Sequence, residues 1–194
     1  MIQTIPYSFN KMAVYMQPSI PGPEPSSVPL TFEHIGDNGT MTITYNKQNA
    51  MYSKNDGEWT STPPTIGQGD KVAISSNYYG DSDFWDKIFT YSTNGDPRLK
   101  VYGNIMSVYN WQDTPPKYGL SWGTFMNDSY ICDATDLFFP PNTSPGCYTC
   151  MFAENNYLTA APSILPGITF TYIINNGIII YHRRSSLQIK NWSN

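Results

Sequence analysis

Turns built on Asn, Asp and Gly separate short runs of alternating apolar and polar residues in this chain. The clearest are Asp37-Asn38-Gly39 and Asn55-Asp56-Gly57, which favour chain reversal because these residue types adopt positive φ at low cost. Sixteen prolines and fourteen glycines also interrupt any long helix. The pattern therefore predicts strands and turns rather than helices.

Strand-like segments follow these turns at a spacing of about 8–12 residues, which is typical of a small β-sandwich. They are Leu30–Glu33, Thr40–Tyr45, Ala50–Ser53, Glu58–Thr60, Thr65–Ile66, Lys71–Ser75, Lys87–Tyr91 and Leu99–Gly103. We expect the segments on either side of each turn to form hairpins, with Tyr52 and Trp59 paired across the second one. The sequence thus predicts a mainly β fold, with a β-sandwich domain over residues 30–106.

The residues before this domain have a different composition. Residues 1–17 alternate loosely between apolar and polar types, and residues 18–29 contain five prolines. Proline at this density favours semi-rigid polyproline II. We interpret 1–17 as an extended attachment arm and 18–29 as a linker, with a first strand of the following domain as the alternative for the arm. The candidate particle-attachment residues are Ile5, Tyr7, Phe9 and Tyr15.

An internal repeat with an offset of 27 residues follows the predicted sandwich. It relates Phe125 to Phe152 and Ile131 to Leu158. A repeat of this length is typical of solenoids, in which each unit buries its apolar face against the next. We predict a leucine-rich-repeat-like region over residues 107–166. Two apolar runs around Asn175-Asn176-Gly177 predict a C-terminal β-hairpin that caps it, within residues 167–194.

Charge and hydropathy exclude two classes of partner. The formal net charge of −4 includes no basic excess of the kind that nucleic-acid binding needs. No run of eighteen apolar residues is present, so we expect no membrane insertion. The N-terminal residues lack the basic-then-apolar order of a secretory signal, and we therefore expect synthesis in the cytoplasm without export by the usual route.

Candidates for metal binding and catalysis are weak. Cys147 and Cys150 form a C-x-x-C pair, but with Cys132 they fall short of the four ligands of a zinc site, and we predict free, partly buried thiols. The stretch 81–86 resembles a calcium loop only in carboxylate density. The two histidines are His34 and His182. Neither has a catalytic motif around it, so we predict a protein that is not an enzyme and has no metal or cofactor.

Aromatic residues in predicted loops are stronger candidates for a binding site. Tyr78, Tyr79, Trp85, Tyr109 and Trp111 lie among Gly, Asn and Asp. Flat rings beside amide and carboxylate groups suit sugar faces and hydroxyls, and similar surfaces recognise proteins. We take these five as candidate glycan-binding residues. The alternative is that the rings cover the core of a small domain.

Between residues 29 and 166, several short segments occur in an order that is similar to that of a known protein family. They are Pro29–Glu33, Tyr52–Thr60, Gly69–Val72, Gly103–Ser107, Cys150–Phe152 and Leu158–Pro166. This order resembles BspA-like leucine-rich-repeat surface proteins, whose repeat unit places a Met-Phe pair before a Leu-x-x-Ala-Pro run. The chain departs from them in having about two repeats and in carrying Asn155-Asn156 where a repeat cysteine is expected.

The resemblance implies surface display and adhesion, without catalytic residues, and similar modules occur in gut phage virion proteins. We therefore expect a virion protein, either a capsid decoration, a head fibre or a tail-associated protein. Its arm would bind capsid or tail proteins, and its body would face a host surface glycan or protein. Phage fibres are commonly symmetric, so we expect a homo-oligomer such as a trimer. The alternatives are a bacterial cell-surface adhesin, a glycan-active enzyme, and a purely structural protein between capsid subunits.

Overall fold

The computed structural model describes residues 27–78, 80, 87–116, 120, 124–125, 130–140, 142, 151–152, 155, 157–160 and 162, and the strands 172–175, 178–183 and 186–191. Within this part the chain is mainly β, and the helical structure is a single 3₁₀ helix, Ile105–Tyr109. The predicted mainly β fold is confirmed. The attachment arm and most of the linker lie outside the described residues.

Thirteen strands are present in the described residues. They are β1 (Leu30–His34), β2 (Thr40–Tyr45), β3 (Ala50–Lys54), β4 (Trp59–Thr60), β5 (Thr65–Ile66), β6 (Lys71–Ser76), β7 (Phe89–Asn94), β8 (Leu99–Asn104), β9 (Ile131–Asp133), β10 (Leu137–Phe138), β11 (Tyr172–Asn175), β12 (Ile178–Arg183) and β13 (Ser186–Asn191). Every strand predicted before residue 105 is found, with bounds that differ by a few residues at most.

The strands form three sheets. The largest has the order β10-β8-β1-β6-β3-β4, and β9 also pairs with β8. A three-stranded sheet, β5-β2-β7, supplies further buried side chains to the same core. In both sheets, alternate residues point inward, as in Leu30 and Phe32 of β1 and Met41 and Ile43 of β2. The two sheets therefore enclose one apolar layer, the arrangement of a β-sandwich.

The predicted hairpin around residues 37–39 is wrong. Strand β1 pairs with β6 and β8 of the large sheet, whereas β2 pairs with β5 and β7 of the small one. The turn therefore carries the chain from one sheet to the other. Turn residues determine where the chain bends. Contacts between residues distant in sequence determine which strands pair.

The second hairpin forms, but its predicted register is wrong by one residue. Ser53 pairs with Trp59, and Tyr52 pairs with Thr60. Because side chains alternate between the faces of a strand, this shift puts Tyr52 and Trp59 on opposite faces. Tyr52 is buried, and its hydroxyl oxygen accepts a hydrogen bond of 2.9 Å from the backbone N–H of Tyr45. Trp59 faces outward.

Four phenylalanines connect the sandwich to the repeat region, and we call them the aromatic column. The ring centroids of Phe32 and Phe89 are 5.3 Å apart, those of Phe89 and Phe125 are 5.8 Å apart, and those of Phe125 and Phe152 are 5.2 Å apart. All four side chains are at most 1% exposed. The predicted units on either side of residue 106 consequently share one hydrophobic core.

Residues 27 positions apart lie side by side in the repeat region, as the sequence predicts. Asp133 and Ala160 form a parallel bridge, and the N–H of Thr159 donates to the carbonyl oxygen of Cys132 at 2.9 Å. The first repeat in turn pairs in parallel with the sandwich, where Leu99 of β8 is the partner of Ile131 of β9. β9 and the bridged residue Ala160 therefore extend the large sheet beyond β8.

The predicted C-terminal hairpin is present. β11 pairs with β12 in antiparallel register, from Tyr172 opposite Tyr181 to Asn175 opposite Ile178. A third strand, β13, pairs with the other side of β12 and was not predicted. Its alternation of Leu187 and Ile189 with polar residues is a strand signal that could have been used.

The described cysteine is a free thiol, as predicted. Cys132 is partly buried, and its Sγ lies 3.3 Å from the carbonyl oxygen of Leu99, to which it donates. Burial raises the pKa of this thiol, so it stays protonated and packs as a small apolar group. Cys147 and Cys150 lie outside the described residues.

A carboxylate joins two loops at the end of the sheet opposite the start of β1. Asp70 accepts hydrogen bonds from Lys54 Nζ at 2.7 Å, from Asn55 Nδ2 at 2.7 Å and from the N–H of Gly67 at 3.0 Å. These donors, Lys54 first, hold the pKa of Asp70 well below its usual range. The ionised form is therefore favoured in the folded protein.

We expect Phe125→Ala to lower the free energy of unfolding by about 3–5 kcal/mol, because it leaves a cavity in the middle of the aromatic column. The loss should appear in one cooperative transition in urea, followed by circular dichroism. Phe138→Ala, at a half-buried position, serves as the control and should cost less. Two separate transitions in the Phe125 variant would contradict a core shared by sandwich and repeats.

Asp70→Asn should lower stability by about 1 kcal/mol at pH 7, since the pair with Lys54 is partly exposed to solvent. A carboxyl whose pKa is depressed by folding contributes stability above its unfolded pKa of about 3.9 and loses it as the pH falls below that value. The difference between wild type and variant should therefore narrow below about pH 4. Urea titrations of Asp70→Asn, Lys54→Met and the double variant test this, and additive effects at pH 7 would contradict it.

Candidate functional site

The predicted loop aromatics have different environments. Tyr109 is fully buried, so the expectation that it lies exposed in a turn is wrong. Tyr78 is partly buried and packs on Tyr109, with ring centroids 6.1 Å apart. Trp111 is 42% exposed. Tyr79 and Trp85 lie outside the described residues.

The 3₁₀ helix explains the burial of Tyr109. The Asn104 side chain caps the helix by accepting from the N–H of Met106 at 2.9 Å. Ser107 Oγ links β1 and β6. It accepts a hydrogen bond from the N–H of Leu30 and donates one to the carbonyl oxygen of Ile74. All five helical residues are buried as a result. The Asn and Gly neighbours of this segment are typical of turns and predict a loop, so the prediction for this segment is wrong.

Trp111 follows this helix in an unusual backbone conformation. Asn110 and Trp111 have φ values of 53° and 55°, in the left-handed region that bulky residues rarely adopt. The N–H of Asn110 donates to the carbonyl oxygen of Ser76 at 3.0 Å, at the end of β6. The structure thus brings Trp111 and Tyr78 to the same end of the sandwich, where β1 also begins.

A row of paired residues crosses the outer face of the large sheet, and we call it the transverse row. Its members are Tyr102 of β8, Thr31 of β1, Ala73 of β6, Ser53 of β3 and Trp59 of β4, each directly opposite the next. Their strand neighbours, such as Phe32 and Val101, are buried in the core. The alternation of a strand therefore places the whole row on the opposite face.

The transverse row has aromatic ends and a small-residue middle. Trp59 is 42% exposed, and Tyr102 is partly exposed. Between them, the hydroxyls of Thr31 and Ser53 donate to the backbone oxygens of Pro29 and Gly57 at 2.8 and 2.7 Å. Four inter-strand spacings separate the two ends, or about 19 Å.

Charged residues form a second row beside the first, and we call it the charged row. Glu33 of β1 stands opposite Lys71 of β6 on one side and Lys100 of β8 on the other. Both lysines pair with loop aspartates instead, Lys71 with Asp56 at 2.7 Å and Lys100 with Asp136 at 2.6 Å. Among the described residues, Glu33 has no ion-pair partner.

Ionisation at this face follows from those contacts. Hydrogen bonding to Asp56 raises the pKa of Lys71, and hydrogen bonding to Asp136 raises the pKa of Lys100. Burial raises the pKa of the Tyr102 hydroxyl, and Lys100 Nζ lies 5.7 Å from its ring centroid. At neutral pH the face therefore carries ionised lysines and neutral tyrosine.

Sequence reasoning missed both ends of the transverse row. Tyr102 could have been found, because it alternates with Leu99 and Val101 on the core side and shares the polar side with Lys100. Trp59 was named, but as the cross-strand partner of Tyr52. Its position depends on the hairpin register, which the turn residues alone do not fix.

The described residues provide neither a metal site nor a helix that could span a membrane. No group of three or more His, Cys, Asp or Glu side chains among them is placed to hold a metal ion. Within the same part of the chain, no helix has the length and apolar character that crossing a bilayer requires. The acidic stretch 81–86 and the attachment residues Ile5, Tyr7, Phe9 and Tyr15 lie outside the described residues.

Val28 and Pro29, which precede β1, are bound to the C-terminal end of β8. The N–H of Asn104 donates to the carbonyl oxygen of Val28 at 2.8 Å, and Pro29 bridges to Asn104. Gly103 has a φ of 82°, and a Cβ there would lie 2.1 Å from the carbonyl oxygen of Pro29. The proline-rich segment therefore meets the body at a defined point.

In comparisons with protein-family models, curated proteins and solved structures, nothing matches the chain.

Gly103→Ala should be strongly destabilising, by at least about 3 kcal/mol, because it adds a clash with Pro29 to the strain of a positive φ. Gly69→Ala is the matched control. Gly69 has a φ of 79°, but a Cβ there would have no atom within 4 Å. It should cost only the conformational strain, about 1–2 kcal/mol. Equal losses in thermal or urea unfolding would show that the contact with Pro29 does not matter.

Proposed function

We propose that the chain is an adhesive, non-catalytic module of a phage virion, displayed as a capsid decoration, a head fibre or a tail-associated protein. The observation that carries the binding part is the outer face of the large sheet. It presents an exposed tryptophan, Trp59, and a partly exposed tyrosine, Tyr102, on a hydrogen-bonded scaffold. Rings held on rigid strands bind without a large loss of conformational entropy.

The attachment part of the proposal is supported by how the chain enters the body. Val28 and Pro29 are held against β8, so a pull on the linker is transmitted to a strand that is paired on both sides. A tether that joins its domain in this way suits a protein that hangs from a larger particle. The arm residues proposed to bind capsid or tail proteins are Ile5, Tyr7, Phe9 and Tyr15.

Display in many copies would compensate for weak individual contacts. A single shallow face binds weakly, but several copies on one particle raise the effective concentration for each further contact. A symmetric homo-oligomer such as a trimer is part of this proposal, as is a host surface glycan or protein as the target. The resemblance to BspA-like surface modules supports adhesion on either a virion or a bacterial surface.

The attachment role is tested by removing residues 1–26, which leaves the Val28–Asn104 contact intact. We expect the shortened chain to remain folded by circular dichroism and to be absent from purified particles, as judged by mass spectrometry of intact virions. A full-length variant with Ile5, Tyr7, Phe9 and Tyr15 changed to Ala should behave in the same way.

Two results would contradict the proposal. Normal incorporation of the shortened chain would show that the arm is not the anchor. Detection of the full-length chain in host outer membranes, with none in virions, would favour the cell-surface adhesin instead. The matched control is Trp111→Ala, which alters an exposed ring on the body and should incorporate like the wild type.

A further inference from the structure

The shape and spacing of the transverse row suit an elongated ligand. Its two aromatic residues are about 19 Å apart, across four inter-strand spacings. The side chains between them are small, and those of Thr31 and Ser53 are at most 4% exposed. Thr31 and Ser53 are therefore not accessible to a ligand lying along the row, which contacts mainly the ring at each end.

The hydrogen-bonding groups beside the row are of both kinds. Glu33 offers carboxylate oxygens that accept, and Lys71 and Lys100 offer ammonium groups that donate. Glu33 is the acceptor that other described residues leave without an ion pair. A ligand that donates and accepts at many points along its length, as a chain of hydroxyls does, matches this arrangement.

The charge of the same face excludes strongly anionic ligands. Each lysine already has an aspartate partner, Asp56 or Asp136, and Glu33 adds a further negative charge. The charged row therefore carries no net positive charge to offset the desolvation of a phosphate or carboxylate. The same balance argues against nucleic acid.

We infer that the transverse row and the charged row together bind a neutral, unbranched oligosaccharide that lies across the strands. This inference deepens the proposed adhesive function and rests on it. Trp59 and Tyr102 stack on sugar rings at the two ends, and Glu33 accepts hydrogen bonds from hydroxyls between them. The loop residues Trp111 and Tyr78 do not belong to the site.

The position of the tether supports this choice of surface. Trp111 and Tyr78 lie at the end of the sandwich where β1 begins, which is the end that receives the linker at Val28 and Pro29. In a tethered protein, this end faces the particle. The outer face of the large sheet lies to the side of this end and can contact a glycan without reorientation of the protein on the particle.

Calorimetric titration of the purified full-length chain tests the inference. The probes are linear hexasaccharides of β-1,4-glucose, α-1,4-glucose and β-1,4-mannose, with an oligogalacturonate of equal length as the anionic comparison. We expect at least one neutral probe to bind, and the oligogalacturonate to bind more weakly than that probe. Failure of all neutral probes to bind the wild type overturns the inference.

Trp59→Ala and Trp111→Ala form a matched pair, because both residues are 42% exposed. We expect Trp59→Ala to weaken binding of the neutral probe about tenfold or more, which is the loss expected for a well-placed ring. Tyr102→Ala and Glu33→Gln should each weaken binding several-fold. Trp111→Ala should bind like the wild type, and all four should keep the wild-type circular dichroism spectrum.

Other outcomes separate this inference from the function on which it rests. If the chain is found in virions and adheres to host cells, but Trp59→Ala adheres equally well, the adhesive function stands and the site is wrong. If the chain is absent from virions, the proposed location fails, and the titrations still decide the site. Loss of binding in Trp111→Ala alone, or dissociation of an oligomer by Trp59→Ala in sedimentation, also overturns the inference.

Discussion

The hydrogen bonding of β8 on both sides is the constraint on which the rest of the described structure depends. On one side, β8 pairs in antiparallel register with β1, in the middle of the large sheet. On the other side, it pairs in parallel with β9 and β10, at the start of the repeat region. A sandwich strand thereby provides the first edge on which a parallel repeat can stack.

This arrangement provides a packing partner for the predicted repeat region of about two units. A repeat unit cannot bury its apolar face alone, and arrays usually need three or more units. Here β8 takes the place of a preceding unit, and the aromatic column provides the apolar contact. Phe125 is the central member, because it touches Phe89 and Phe32 of the sandwich and Phe152 of the second repeat.

The same strand connects the entry of the chain at Val28 and Pro29 to the proposed glycan site. Its C-terminal end holds the entry of the linker through Gly103 and Asn104, and Tyr102 on its outer side forms one end of the transverse row. Force applied through the linker therefore reaches the strand that carries part of the proposed glycan site. One continuous ladder of hydrogen bonds therefore joins the proposed attachment point to the proposed binding face.

Local sequence patterns determined the strands, the 27-residue offset and the C-terminal hairpin, because alternation, turn residues and repeats act over a few neighbouring residues or recur at a fixed interval. Only the tertiary structure decided which strands pair, as in the crossing from β1 to β2 between sheets and the one-residue shift that turns Trp59 outward. It also buried Tyr109, whose neighbours are typical of a loop, because Ser107 ties the 3₁₀ helix to strands that are distant in sequence. The outer face is therefore a property of registers between distant segments, and these depend on long-range packing that no local pattern records.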